Sequence, residues 1–334
     1  MHSLENNYNH ARWRPGTRGG HYESYWLRAN HPERPLAFWI RYTLFCPKDA
    51  PDKAIGELWC IWSDGEQRKL TAVKREVPIN TCRFAPDQFD VAIADARLQA
   101  NALSGWAEAQ GDRIDWDLGY AGSAAPLFHL RRELYDKPLP KAKTLVGLPL
   151  AVFSGELRVN GEVMRIDHWT GSQNHNWGSK HTDHYAYGQV AGFDNAPGSF
   201  LEIATVRLKL GPLWTPWMTP LVLRHDGREY ALNALPRALR HKGSFNYFDW
   251  YFAAEDADVR IEGRIHAARD IFVGLRYYNP PGNSKCCLNS KLAACELVLT
   301  DRHSKRQQTL TTGHRAAFEI LSDDFNMHGV AVRV

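Results

Sequence analysis

His21-Tyr22-Glu23-Ser24-Tyr25-Trp26 opens an extended run bounded by turn residues, and the same kind of run opens again at His184-Tyr185. Outward from this stretch the chain is written twice. Ser63-Asp64-Gly65-Glu66 returns as His225-Asp226-Gly227-Arg228. Glu156-Leu157-Arg158-Val159 and Trp169-Thr170-Gly171 are echoed by Glu296-Leu297-Val298-Leu299 and Thr311-Thr312-Gly313. Each echo is weak, but all are collinear, which is how an internal repeat shows itself. The 334 residues suit two units of about 150. The expected organisation is an arm over 1–20, a first domain over 21–178 and a second over 179–334.

Within each unit the signals are those of strands. Runs over 22–29, 36–46, 57–63 and 70–77 are separated by Asn-His-Pro, Pro-Lys-Asp and Asp-Gly. Asp-Gly and Asn160-Gly161 are strong hairpin turns because both central positions tolerate positive φ. Two weak helical windows fall at 87–98 and 237–242. Short strands at this spacing predict an all-β barrel or sandwich. Strand 36–46 is largely apolar on both faces, with Leu36, Phe38, Ile40, Tyr42 and Leu44 opposite Ala37, Trp39, Thr43 and Phe45, plus Arg41. Two readings follow: one face packs inside a barrel and the other on the sister domain, or the inward face lines a lipophilic cavity.

Composition excludes several function classes. The 41 basic residues are nearly balanced by 37 acidic ones, for a net charge of +4, with no long basic block that would track a nucleic acid. Six scattered Cys, without a C-x-x-C pair, read as reduced buried thiols. The start of the chain shows no signal-peptide pattern, and the longest apolar stretch, near 145–153, is too short to span a bilayer. A cytoplasmic protein without stable membrane insertion is expected. No G-x-G-x-x-G, Walker, G-x-S-x-G or H-E-x-x-H pattern occurs. The 12 Trp, 13 Tyr and 14 Phe suit β-structure and a hydrophobic small-molecule partner alike.

The join between the two units, Gly171-Ser172-Gln173-Asn174-His175-Asn176-Trp177-Gly178, is the most unusual stretch. It continues to His181-Thr182-Asp183-His184. A metal set is one reading of its histidines, but none are paired at i, i+4, and His181 and His184 are closer than a zinc-finger pair. Proton chemistry without a metal fits better. His175 or His184 titrates near neutrality and would move a proton if Asp183 or Glu23 tuned it. Trp177, Tyr185, Tyr187, Tyr22 and Trp26 offer π-faces to a developing cation, and Asn174 and Asn176 would orient a polar end. The competing reading is a plain inter-domain turn made by the glycines and asparagines. Weaker candidates are the Tyr277-Tyr278 loop, Asp249 as a buried acid, and Cys286 or Cys287 as a nucleophile.

The duplicated plan, Tyr22-Glu23-Ser24-Tyr25-Trp26 and above all Gln173-Asn174-His175-Asn176-Trp177-Gly178 resemble the tandem lipocalin-like superfamily. That group holds carotenoid hydratases, tocopherol cyclase and Diels–Alder-type cyclases. The resemblance covers roughly residues 21–321 and rests mostly on architecture. It implies an all-β fold of two tandem lipocalin-like β-barrel domains around an apolar pocket. It also implies a hydratase, cyclase or isomerase that needs no organic cofactor and acts on an isoprenoid- or polyketide-like substrate. In that reading His175 is the proton donor or base, supported by Asp183 or His184; Trp177, Trp26 and Tyr185 form the wall, with Tyr22 and Glu23 beside it. Asn174 and Asn176 anchor polar groups. The alternative is a carrier that binds a lipophile without changing it.

Overall fold

The computed structural model describes residues 7–326 and 328–334; positions 1–6 of the expected arm lie outside the described residues. A twelve-stranded antiparallel sheet runs from Lys69–Pro78 through Ile55–Asp64, Leu36–Cys46 and His21–Asn30 to Glu162–Gly178. It continues through Ala142–Val159, Asp112–Ala121 and Ala102–Ala109 to three short edge strands. This sheet curls into a nearly closed barrel. A ten-stranded sheet repeats the plan as a half-barrel, with His184–Phe193 between Ala196–Arg207 and Gln307–Ser322. In both, the first strand lies between the second and the last. Among the described residues no helix is long and apolar enough to cross a membrane.

Turn chemistry explains the hairpins. Asn160 and Gly161 both take positive φ (53° and 88°), as do Asp226 and Gly227 (48° and 73°), matching the twist of the flanking strands. The expected helix over 87–98 is absent: Asp90–Ile93 and Ala96–Gln99 pair as a hairpin, because Val91, Ile93, Ala96 and Leu98 alternate into the core. The second window contributes one helical turn, Leu235–Ala238.

The two-faced strand Leu36–Cys46 follows the packing reading. Phe38, Ile40, Tyr42 and Leu44 join Tyr25, Trp116, Phe153 and Trp169 in the core of the first barrel. Trp39 instead joins Trp26, Trp59, Tyr187, Leu275 and Tyr277 in a layer between the two sheets. Tyr25, Phe38, Tyr42 and Phe153 are wholly covered, at 0% exposure. Side chains lining a cavity wide enough for water would keep accessible surface, so the barrel is filled there by its own residues. The expected lipophilic cavity along this inward face is therefore not the arrangement found.

Candidate functional site between two barrels

The join is a strand. Glu162–Gly178 pairs with His21–Asn30 on one side and Ala142–Val159 on the other. Gly171 and Gly178 therefore make no inter-domain turn. A Cβ on Gly171 would lie 1.7 Å from the Arg28 carbonyl oxygen, and one on Gly178 2.1 Å from that of Lys141. Both glycines are needed for close backbone approach. Because a strand alternates its side chains, the special residues divide between two faces. Gln173, His175 and Trp177 face the first barrel with Glu23 and Tyr25; Ser172, Asn174 and Asn176 face the second with Tyr22, Ser24, Trp26 and Arg28.

On the inner face the described arm straps Glu23. Its carboxylate accepts the Arg12 N–H (2.7 Å), the Trp13 N–H (2.8 Å), His175 Nε2 (2.9 Å) and His21 Nε2 (3.1 Å). Burial pushes this carboxyl up, but hydrogen bonds and charge from His175 and His21 outweigh it and hold it well below the ordinary range. Burial lowers His175 against the raising influence of Glu23 and the Tyr8 carbonyl. Nδ1 lies 2.7 Å from that carbonyl oxygen and Nε2 faces Glu23, so both ring nitrogens are engaged. The ring stacks on Tyr25 at 4.2 Å and lies 4.6 Å from Trp177, with no exposed surface. Arg12 covers Trp177. His175 has no nitrogen left for a substrate, so its geometry is that of a clasp rather than a free proton donor. The second barrel has Ala186 and Phe318 at the places of Glu23 and His175.

The outer face meets the second barrel across a layer of buried polar groups. Arg28 donates through Nε to Gln189 Oε1 and through Nη2 to the Gln189 carbonyl, both at 2.9 Å. Gln189 Nε2 donates to Asn174 Oδ1 (2.8 Å) and to Glu202 Oε2 (2.9 Å), and Ser172 Oγ donates to Gln189 Oε1 (2.7 Å). Tyr187 Oη donates to the same Glu202 oxygen at 3.1 Å, and its ring meets the face of Trp26 edge-on at 6.0 Å. Among the described residues the other Glu202 oxygen and Asn176 Oδ1 are buried without partners. Burial pushes the Glu202 carboxyl up to about 8, against the lowering hydrogen bonds of Gln189 and Tyr187. It is therefore a protonated acid at neutral pH, with one oxygen unengaged. Lys291 and Glu319 form a second buried pair at 2.6 Å.

Two expected residues sit apart from both faces. Asp183 pairs with Lys180 and accepts the Lys209 N–H at 2.9 Å, tying the inter-barrel loop, and it supports neither His175 nor His184. His184 packs edge-on to Trp217 and Phe245, with Nδ1 3.2 Å from Arg207. Tyr185 packs against the layer, and Tyr22 stacks on His181 at 3.9 Å. Tyr277 also belongs there, stacked against His181. Asp249 is half-exposed and paired with Arg264, so it is a surface residue and not a buried acid. Burial raises the Cys286 and Cys287 thiols, which disfavours either as a nucleophile. Glu202, Gln189 and Arg28 escaped notice in the sequence because they lie on three different strands, Gln189 13 residues from Glu202 and 161 from Arg28, and no local motif joins them.

No protein-family model matches the chain. An uncharacterised protein of Mycobacterium tuberculosis is 26% identical over 311 residues, covering 91% of this chain and 87% of that protein. Among solved structures, kievitone hydratase from Nectria haematococca is similar with a TM-score of 0.57 at 10% identity, over 99% of this chain and 94% of its own. CghA is similar with a TM-score of 0.55 at 11% identity, over 95% of each chain. At such identities the likeness is one of fold. The topology, the paired barrels and these neighbours agree on the fold: two barrel-like all-β domains in tandem, as the sequence resemblance implied.

Proposed function

We propose that the layer between the barrels is the reaction site of a hydratase- or cyclase-like enzyme. Its substrate is a lipophile of isoprenoid or polyketide type, and Glu202 is its proton donor. The observation that carries this reading is a fully buried carboxyl, held protonated to about pH 8, with one oxygen unpartnered and the other bound by Tyr187 and Gln189. A general acid works best with a pKa near the operating pH. Glu202 would transfer its proton to one carbon of an alkene, leaving a cation that faces Trp26 and Tyr187. In a hydration, water attacks the cation and its surplus proton returns to the Glu202 carboxylate. In a cyclisation, a second alkene attacks, and the carboxylate takes the proton lost from the neighbouring carbon. Gln189 and Tyr187 hold the carboxyl in place through both steps. That one fold neighbour is a hydratase by name supports the reaction class.

The test is mass spectrometry of a lipophile extract incubated with the protein. Hydration reads as gain of one water, and cyclisation as unchanged mass with altered retention. Glu202→Gln should abolish either change while the lipophile still co-purifies. A bound lipophile that the wild type never alters would make the protein a carrier. Turnover that survives in Glu202→Gln would remove Glu202 from the chemistry.

A further inference from the structure

The first barrel's wall of this layer carries three donors that have nothing to donate to. Among the described residues Arg41 Nε, Trp39 Nε1 and Trp59 Nε1 are buried without a hydrogen-bond partner, and their residues are at most 4% exposed. They form one patch. Arg41 and Trp59 are direct cross-strand partners, and Trp39 lies two residues from Arg41 on the same face. A guanidinium Nε and an indole nitrogen can only donate. Leaving such a group buried and unpaired is costly, so three together point to an acceptor that enters.

Charge narrows the choice. Lys291 has Glu319 at 2.6 Å and Lys74 has Glu57 at 2.6 Å, while Arg28 is engaged by Gln189 and Asn30. Arg41 donates only through Nη2 to Ser24 Oγ (2.7 Å) and lies over the Tyr277 ring at 4.3 Å. Among the described residues no carboxylate pairs with it. A buried guanidinium ordinarily has one, and its fork matches a planar pair of oxygens.

We propose that Arg41, Trp39 and Trp59 are a subsite for the anionic, oxygen-bearing end of the ligand, a carboxylate or enolate. Its hydrocarbon part lies along the rings of Trp26 and Tyr277. The assignment rests on the reading of the layer as a lipophile site. It adds that the lipophile is an acid anchored by its head, which fixes which of its double bonds lies at Glu202. The three donors are covered, so binding requires that the two walls part.

Three probes of equal chain length separate the claims: dodecanoate, dodecanol and dodecylammonium, titrated into the full chain by calorimetry. The wild type should prefer dodecanoate over dodecanol by about tenfold or more and bind dodecylammonium weakest. Arg41→Gln should erase that preference while leaving dodecanol unchanged. Trp59→Phe and Trp39→Phe keep a ring but remove one N–H each, and should weaken dodecanoate alone by several-fold. They carry the test if Arg41→Gln does not fold. Equal binding of dodecanoate and dodecanol by the wild type, or equal losses for both in the Trp→Phe variants, overturns the head-group assignment and leaves the lipophile site standing. Failure of all three probes to bind overturns both.

Discussion

Replacing Glu202 with Gln should make the protein more stable and less active, in amounts that depend on pH. The folded carboxyl is raised from 4.5 to about 8. Below the unfolded value both states hold the proton, and Glu202 adds no pH dependence. From there to about pH 8 the unfolded chain ionises while the folded one does not, so stability falls as pH rises and then levels off. At about 1.4 kcal/mol per unit, ionisation of the unfolded chain lowers wild-type stability by about 3 kcal/mol at pH 7. Gln never ionises and escapes this loss. Its amide puts two N–H groups where one unpartnered O–H stood, an extra unpaired donor that offsets about 1 kcal/mol. The net expectation is a variant about 2 kcal/mol more stable at pH 7 and no more stable than wild type near pH 4. Urea unfolding of both proteins across that range measures the difference directly. Parallel stability curves would mean that Glu202 is ionised in the fold, and the proton-donor assignment would go with it. Wild-type turnover should show the matching limb, falling above about pH 8 as the acid form is lost.

Other predictions concern the clasp and the strands. His175→Ala leaves the Glu23 carboxylate buried beside a void and should cost about 3–5 kcal/mol by urea unfolding, with faster proteolysis within residues 7–20. Glu23 is held below its ordinary value, so its contribution is complete above about pH 4.5 and fades as pH falls through the folded value; limited proteolysis in acid should release the arm before the barrels unfold. Gly171→Ala drives a methyl into the Arg28 carbonyl and should leave little folded protein in the soluble fraction. In native alkylation followed by intact mass, half-buried Cys82 should react first and the five buried thiols only after denaturation.

The architecture was largely legible from period-two patterning and turn chemistry. Leu36–Cys46 was delimited to the residue, and Asn160-Gly161 took the predicted conformation. The join was harder to read, because polar residues on both faces imitate a loop. Here they are polar on both faces because each face meets a polar site. Pro149 and the left-handed Leu150 likewise hid the bulged strand Ala142–Val159. The pairing of Glu23 with His175 is a cross-strand fact that no local pattern encodes. Glu202 left a faint trace, as the one carboxylate in Phe200-Leu201-Glu202-Ile203. Its significance depends on Gln189 and Tyr187 across the sheet.

The two-faced strand Glu162–Gly178 makes the chain intolerant of length change at one place. Deleting or inserting a single residue between Gly171 and Gly178 would exchange the faces. It would send His175 into the layer between the barrels and Asn174 or Asn176 against Glu23. One such event would undo the clasp and the Gln189 contact together, although they belong to different barrels. Descendants of this protein should therefore drift freely in the composition of their loops while keeping the length of this one segment fixed.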